Sequence, residues 1–346
     1  MRWELLKSLC EVPGTPGREE KVRKLVLEAM KPLVDEIRVD AMGNVIGKKR
    51  GSGQRRVMLA AHMDEIGFLV SAIDDNGFLH ILPVGGFDPR TLFAQRVVVH
   101  GREQLKGILM PGTKPIHISS PEETSKVPGV DEFFIDVGLK KEKLSTLVRV
   151  GDFVTMDREC IQMGDMVNSK ALDDRLGVFV MLEALQSVTH HEVDIYAVAT
   201  VQEEQGLRGA LTGAYGIEPD LGVALDVTVA ADIPGNQPHK YVTRLGGGTA
   251  IKIMDSASIG NYKLVEFMRE VAEKNNISYQ MEILPRGGTD AGAIERTRTG
   301  CPVMTISVPA RYVHTAVETS HKKDIEASIS LLARFLEVAH TADVSL

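Results

Sequence analysis

The sequence predicts an α/β protein in which a mixed, mainly parallel sheet is flanked by helices and interrupted by a small inserted all-β domain. Two apolar, β-branched runs, 57–61 and 193–199, are typical of strands buried on both faces of a parallel sheet. After residue 165, stretches of helical periodicity alternate with such runs, which indicates an α/β layer structure. Between about 68 and 164, short strand-like runs are separated by Gly, Pro and Asp turns, and no long helix pattern is visible. We therefore expect a main domain formed by residues 1–67 and 165–346 and an inserted β domain at 68–164.

The individual elements follow from periodicity and turn signals. Apolar Val22, Val26 and Met30 recur at helical spacing, so residues 2–10 and 18–33 are predicted to form two amphipathic helices. A hairpin is predicted at 36–48, with its turn at Gly43-Asn44. Further strands are predicted at 57–61, 77–82, 95–99, 107–109, 133–137, 193–201, 221–225, 249–253, 278–284 and 303–308. Further helices are predicted at 172–188, 207–215, 262–272 and 324–340, with a short one opening at Thr289-Asp290.

Composition and charge argue against several classes of function. The net charge of −7 disfavours nucleic acid as the main partner, because nucleic-acid binding needs a positive surface. No run approaches the ~18 apolar residues of a membrane span. The first residues form a helix pattern rather than a signal peptide, so a cytoplasmic protein without a membrane partner is expected. The three cysteines, Cys10, Cys160 and Cys301, have neither a zinc-binding spacing nor the pattern of a disulfide framework.

Potential metal ligands follow the predicted strands one after another. They are His62 and Asp64, Asp173 at the start of the helix predicted from 172, Glu203 and Glu204, Asp226, and His314. Ligands bind at the carboxyl ends of strands in open α/β sheets, so these side chains are expected to converge on one edge. So many carboxylates repel one another unless positive charge lies among them, and only Lys170 and Arg175 are near in sequence. One or two divalent cations are therefore expected, and imidazole with carboxylate ligands favours zinc, cobalt or manganese over calcium.

A pair of ions about 3.5–4 Å apart needs one bridging carboxylate and separate terminal ligands for each ion. The predicted ligands are His62, Asp173, Glu204, Asp226 and His314. Asp173 is the predicted bridge, and how the terminal ligands divide between the ions is left open. Asp64 is expected to hold the His62 ring by a hydrogen bond. Glu203 is then the unligated carboxylate that takes a proton from the activated water.

These motifs resemble those of a known family. The motifs are His62-Met63-Asp64, Ala171-Leu172-Asp173-Asp174-Arg175, Glu203-Glu204-Gln205-Gly206, Leu225-Asp226-Val227 and Tyr312-Val313-His314. They resemble the tetrahedral, or TET, aminopeptidases, two-metal enzymes that include glutamyl aminopeptidases and proteins also labelled cellulase M. The resemblance implies the five ligands above, with Glu203 as general base and Asp64 as supporting acid, and a cis peptide bond after Asp173.

The same resemblance implies a zinc-exopeptidase-like catalytic domain at 1–67 and 165–346, with a PDZ-like dimerisation domain at 68–164. It also implies two divalent ions per subunit, zinc or cobalt before others, and peptides as substrates. Dimers are expected to assemble into a tetrahedral homododecamer.

The predicted activity is release of N-terminal amino acids from peptides. The alternatives are a two-metal deacylase or amidohydrolase acting on N-acyl amino acids, an endoglucanase-type glycosidase, and a chamber-forming scaffold with a vestigial site. A glycosidase would need a free pair of carboxylates without metals. Two glycine-rich stretches add to the expectations: Gly246–Gly248 as a tight backbone passage near the site, and 286–290 as either a pocket loop or a helix N-cap at Thr289.

Overall fold

The computed structural model describes residues 1–346. The strands are β1 Glu36–Val39, β2 Val45–Lys49, β3 Arg56–His62, β4 Gly67–Ile73, β5 Phe78–Val84, β6 Gln95–His100, β7 Gln104–Pro111, β8 Phe133–Asp136, β9 Phe153–Met156, β10 Ile161–Met163, β11 Met166–Ser169, β12 Asp194–Thr200, β13 Leu221–Val229, β14 Thr249–Met254, β15 Tyr279–Ile283, β16 Val303–Arg311 and β17 Glu318–His321. The helices are α1 Trp3–Glu11, α2 Glu20–Met30, α3 Pro121–Ser125, α4 Lys141–Leu147, α5 Leu172–Ser187, α6 Arg208–Ile217, α7 Tyr262–Lys274, α8 Ala291–Glu295 and α9 Lys322–Val338. No helix combines the length and apolar character that a membrane span requires.

The main sheet has 11 strands, and its main path runs β1-β2-β12-β3-β13-β16-β17-β11-β10. Its centre is parallel: β3 lies between β12 and β13, and β13 pairs in parallel with β16. These strands are apolar on both faces because each face is covered. α1, α2, α5 and α9 contribute to the large core on one face, and α6 and α8 contribute to a smaller core on the other. The predicted α/β fold with a mixed sheet flanked by helices is confirmed.

The other six strands lie outside the main sheet and form a small closed barrel in the order β4-β5-β8-β7-β6-β9. Its own apolar core includes Phe68, Leu79, Val97, Leu109 and Ile135. The barrel occurs in the chain between β3 and β10, so an all-β unit does interrupt the α/β layers. Two short helices, α3 and α4, accompany it, and β4 opens it without having been predicted.

Several predicted boundaries differ from the structure. The strand predicted to stop at residue 225 continues as β13 to Val229, because its pairing with β16 runs on from Asp226 opposite Ser307 to Val229 opposite Ala310. Asp226 therefore lies inside a strand rather than after one. The short strands β10, β11 and β17 were not predicted, because β10 and β11 are only three and four residues long and β17 is polar throughout, so none carries a recognisable apolar period.

Candidate metal centre

The three central parallel strands bring their carboxyl ends to one edge of the sheet. His62 is the last residue of β3 and pairs with Thr200, the last residue of β12. On the other side, Ala224 of β13 pairs with Ala60, so Asp226 lies level with His62 two residues further on. The segment after β12 carries Glu203 and Glu204 over this edge. The convergence expected from the strand order is therefore present at the centre of the sheet.

Asp173 lies between the two histidines. One carboxylate oxygen, Oδ1, is 3.0 Å from His62 Nε2, and the other, Oδ2, is 3.4 Å from His314 Nε2. His314 Nε2 is also 3.3 Å from Glu204 Oε1. Asp226 groups with His62 and with Asp174, a carboxylate not predicted as a ligand, with ligand atoms within 4.8 Å of one another. All five predicted ligands thus lie close together, and Asp173 lies between the two imidazole rings.

Both imidazole rings are oriented by backbone carbonyls. His62 Nδ1 lies 3.0 Å from the carbonyl oxygen of Asp64, and His314 Nδ1 lies 2.9 Å from that of Gly86 in the β5–β6 loop of the barrel. A carbonyl only accepts, so each Nδ1 carries the hydrogen and each Nε2 turns a lone pair to the site. This is the tautomer that a metal-binding histidine needs.

Asp64 has a different contact from the one expected. Its carboxylate lies 3.7 Å from His62 Nδ1, too far for a hydrogen bond, and the ring is held by its carbonyl instead. The Asp64 carboxylate accepts the backbone N–H groups of Glu203 and Glu204, each at 3.1 Å. Asp64 therefore fixes the backbone of the two glutamates, because its side chain reaches the segment after β12 and not the His62 ring.

The backbone around the ligands is unusual. Ala171, Gln202, Tyr312 and His314 all have left-handed φ values, between 54° and 61°, and each lies within two residues of a predicted ligand or is one. Each such residue costs on the order of 1 kcal/mol relative to ordinary backbone, so the surrounding contacts must hold it in place. The peptide bond between Asp173 and Asp174 is cis, as the family resemblance implies.

The electrostatics of the cluster call for added positive charge. Burial, reinforced by the neighbouring Asp173, raises the pKa of Asp226 well above its ordinary value. Burial also raises the pKa of Glu203, and Asp226 adds to that shift. Although burial opposes it, the carboxylates of Asp173 and Glu204 raise the pKa of His314 to about 12.

The buried basic side chains around the cluster are paired with other groups. Lys170 Nζ lies 2.7 Å from Glu65 Oε2, and Arg175 Nε donates to the carbonyl of Met63 at 2.6 Å. Lys252, whose charge partly offsets the raised pKa of Asp226, has its Nζ 3.2 Å from Glu282 Oε1. All three cations are buried.

The residues present fit divalent cations. Glu204 Oε1 is buried and has no hydrogen-bond partner, although His314 Nε2 is its neighbour. In the tautomer that binds a metal, Nε2 and the carboxylate oxygen are both acceptors, and at this distance they repel each other unless a cation or a proton lies between them. Two imidazole nitrogens with carboxylate oxygens form a donor set that zinc and similar ions accept.

Other residues near the cluster have roles that the sequence did not indicate. Glu318 was not predicted, and its carboxylate accepts the backbone N–H of Asp173 and of His314. Of the two interpretations of 286–290, the N-cap at Thr289 is not formed, because Asp290 occupies the N-cap position of α8 and Thr289 Oγ1 lies 3.0 Å from Thr305 Oγ1. The pocket-loop interpretation stays a prediction. Asp290 is buried and accepts from Thr200 Oγ1 at 2.5 Å.

The glycine-rich passage has an internal role. The N–H groups of Gly246 and Gly248 both donate, at 2.7 Å, to the carboxylate of Asp324 in the first turn of α9. Gly246 and Gly248 thus satisfy a buried acid of the fold, which accounts for the tight backbone passage without a ligand.

Comparison with known proteins identifies the family. Residues 43–331 match the model of the M42 glutamyl aminopeptidase family. The chain is 37% identical over 343 residues to a lysyl aminopeptidase from Pyrococcus furiosus, covering 97% of this chain and 96% of that protein. It superimposes on an aminopeptidase from the archaeon Desulfurococcus kamchatkensis with a TM-score of 0.92 and 45% identity, covering 96% and 94% of the two chains. It superimposes on the TET1 peptidase of Pyrococcus horikoshii, described as assembling into a tetrahedron or a large octahedral shell, with a TM-score of 0.84 and 32% identity over 96% and 98% of the chains.

These matches span nearly the whole chain and include the segments that carry the histidines and carboxylates described above. They confirm the family that the sequence motifs indicated. The chain therefore belongs to the M42 glutamyl aminopeptidase family and is a metal-dependent peptide hydrolase.

Proposed function

We propose that the protein is an aminopeptidase that holds two divalent cations, zinc or cobalt, and releases N-terminal amino acids from peptides. The observation that carries this proposal is the position of Asp173, whose two oxygens face different imidazole rings at 3.0 and 3.4 Å. A carboxylate placed in this way is suited to bridging two ions. His62 and Asp226 would hold one ion, and Glu204 and His314 the other. The Glu204 contact with His314 supports this division of the terminal ligands.

Two divalent cations bound there would lower the pKa of a water molecule and polarise the scissile carbonyl. Glu203 is the acid–base residue in this proposal. Its Oε2 lies 3.8 Å from His62 Nε2, and its carboxylate accepts no hydrogen bond from a protein donor, so it is free to exchange protons. Glu203 takes the proton of the attacking water and returns it to the leaving amine. Asp64 supports this step by holding the backbone N–H groups of both glutamates.

His314 is the most exposed of the two histidines and the carboxylates they face. The side chain of His314 is 35% exposed, whereas those of Asp173 and Glu203 are 9% and 10% exposed. In this proposal a peptide reaches the site past His314 and the Gly85-Gly86 loop.

For the inserted segment, we propose a PDZ-like dimerisation domain at 68–164, with the catalytic domain formed by 1–67 and 165–346. The barrel exposes apolar side chains on β5 and β7, the two strands that flank β8: Leu82 at 56%, Ile108 at 52% and Met110 at 37%. Exposed apolar side chains on one wall of a barrel can form a surface that another chain covers. By analogy with the P. horikoshii TET1 peptidase, these dimers would assemble into a dodecamer. Light scattering of Ile108→Glu, compared with the wild type, tests the dimer contact.

Two other activities use similar groups. A deacylase acting on N-acyl amino acids would share the metal centre but not the need for a free amino group. An endoglucanase-type glycosidase would need two carboxylates free of metal, and the two imidazoles facing Asp173 argue against it.

One substrate panel separates these activities. Aminoacyl p-nitroanilides with acidic, basic and aliphatic side chains are compared with their N-acetyl forms and with a chromogenic cellobioside. The measurements are repeated after chelation and after zinc or cobalt is restored. We expect turnover of free aminoacyl substrates only, lost on chelation and regained with metal. Turnover of the N-acetyl forms alone, or activity that survives chelation, would rule the proposal out.

A further inference from the structure

Glu318 occupies a special position in the fold. It is the first residue of β17, its side chain is buried, and it follows His314 by four residues across the turn from β16. β17 pairs with β11, the strand that leads into Asp173. A single side chain at this position is therefore in reach of ligands that come from two distant parts of the chain.

The contacts of Glu318 are divided between those two ligands. Oε2 accepts the backbone N–H of Asp173 at 2.9 Å, and Oε1 accepts the backbone N–H of His314 at 2.8 Å. His314 has a left-handed φ of 61°, a conformation that needs support from its neighbours. The carboxylate thus ties together the two residues whose side chains meet 3.4 Å apart in the site.

We propose that Glu318 is a positioning residue for the cation that Asp173, Glu204 and His314 would share, an inference that rests on the proposed function. It sets the distance between two ligands through their backbones and touches neither the substrate nor the reacting atoms. Glu318 mirrors Asp64, whose two oxygens accept the N–H groups of Glu203 and Glu204. Between them, two buried carboxylates fix the backbone on opposite sides of the centre.

The mechanism makes a specific demand on the side chain. Both contacts are N–H donors, so both atoms at the end of the side chain must be acceptors. Glutamine keeps the size of glutamate but offers one acceptor oxygen and an NH₂ group that opposes the second N–H. Glu318→Gln therefore releases either Asp173 or His314, whereas no ligand atom is removed. Loss of a contact that orients a metal ligand typically weakens metal binding 10- to 100-fold.

The chain provides a matched control. Asp324 is also a buried carboxylate that accepts two backbone N–H groups, from Gly246 and Gly248, and neither of these is a ligand. Asp324→Asn makes the same chemical change at a carboxylate that holds no ligand. Any loss caused merely by leaving a buried N–H unpaired should be similar in both variants.

The test titrates metal-free wild type, Glu318→Gln and Asp324→Asn with Co²⁺ and follows visible absorbance and heat release. For the wild type we expect two ions per chain. For Glu318→Gln we expect at least one of the two ions to bind about 10- to 100-fold more weakly, both if Asp173 is released and one if His314 is released, with activity restored at high metal concentration. For Asp324→Asn we expect both affinities within threefold of the wild type. If Glu318→Gln does not fold, Glu318→Asp keeps both oxygens but is too short to reach both partners, and the same selective loss is expected.

Three results would overturn the inference. Two affinities unchanged in Glu318→Gln would remove Glu318 from metal positioning and leave the proposed function intact. Equal losses in Asp324→Asn would show that the effect is general. A wild type that binds no Co²⁺ would overturn the proposed function together with this inference.

Discussion

Replacing Glu203 by Gln should remove most of the turnover and leave the rest of the molecule unchanged. The Glu203 carboxylate accepts no hydrogen bond from a protein donor. Its Oε2 lies 3.8 Å from Nε2 of the predicted ligand His62. The amide is nearly isosteric, so the free energy of unfolding should change by no more than ~0.5 kcal/mol. Glu203 is also outside the predicted ligand set, so metal content should stay the same.

The size of the effect follows from the role of the residue. A positioned general base typically contributes 10²- to 10⁴-fold to a proton-transfer step. Since each tenfold in rate corresponds to ~1.4 kcal/mol, the activation barrier should rise by about 3–5 kcal/mol. Glutamine at this position cannot accept the proton, so the loss should appear in kcat, with KM little changed.

The neighbouring residue provides the control. Glu204→Gln makes the same chemical change at the next residue. Glu204 Oε1 is buried and lies 3.3 Å from His314 Nε2. This variant should lose metal as well as activity. Turnover of an aminoacyl p-nitroanilide, metal content by elemental analysis and thermal unfolding are measured for both variants. If Glu203→Gln retains activity within tenfold of the wild type, or loses metal as Glu204→Gln does, the base assignment is refuted.

Three further predictions concern stability. Lys170→Met leaves Glu65 without the partner that contacts both its oxygens at 2.7 and 2.8 Å in the buried interior, so denaturant unfolding should show a loss of ~3 kcal/mol; a loss below 1 kcal/mol would contradict this. Gly209→Ala places a methyl group 2.5 Å from the backbone of Val201 and against Asn44, so it should cost ~1–3 kcal/mol and also lower activity; unchanged unfolding and turnover would show that the loop relaxes freely. Burial lowers the pKa of His100 from 6.5 to about 4, so below pH 6.5 the unfolded chain binds a proton that the folded chain does not, and stability falls as the pH falls from 6.5 towards 4. His100→Phe should remove this part of the acid sensitivity in unfolding midpoints measured at pH 7 and pH 5, and identical pH dependence in both proteins would exclude it.

The sequence predicted correctly those elements that depend on the apolar pattern of the segment itself. The run at 57–61 is buried on both faces as β3, and the similar run at 193–199 became β12 beside it. Parallel strands buried on both faces must end in polar residues where they meet solvent. The positions of His62, Glu203 and Glu204 followed from that rule without knowledge of any contact.

Where the sequence failed, the cause lay in pairing between distant segments. β17 has the polar sequence Glu-Thr-Ser-His and forms only because β11 and β16 supply hydrogen-bond partners. Glu318 was missed for the same reason, since its two partners are 145 and 4 residues away and both are backbone groups. The N-cap alternative at Thr289 is not formed because its hydroxyl bonds to a distant strand, at Thr305, rather than to the helix it precedes.

By itself, the sequence determined which side chains could form the site: two histidines and several carboxylates, each placed by a strand or helix that its own apolar pattern encodes. It also determined the family, because those motifs occur in order along the chain. Only the tertiary structure decided which hydrogen bonds each of these side chains makes. Asp64 holds the neighbouring backbone rather than the His62 ring, and the barrel orients His314 through Gly86. The physical reason is that a hydrogen bond depends on angles and distances of a few tenths of an ångström, which are set by packing between segments far apart in sequence.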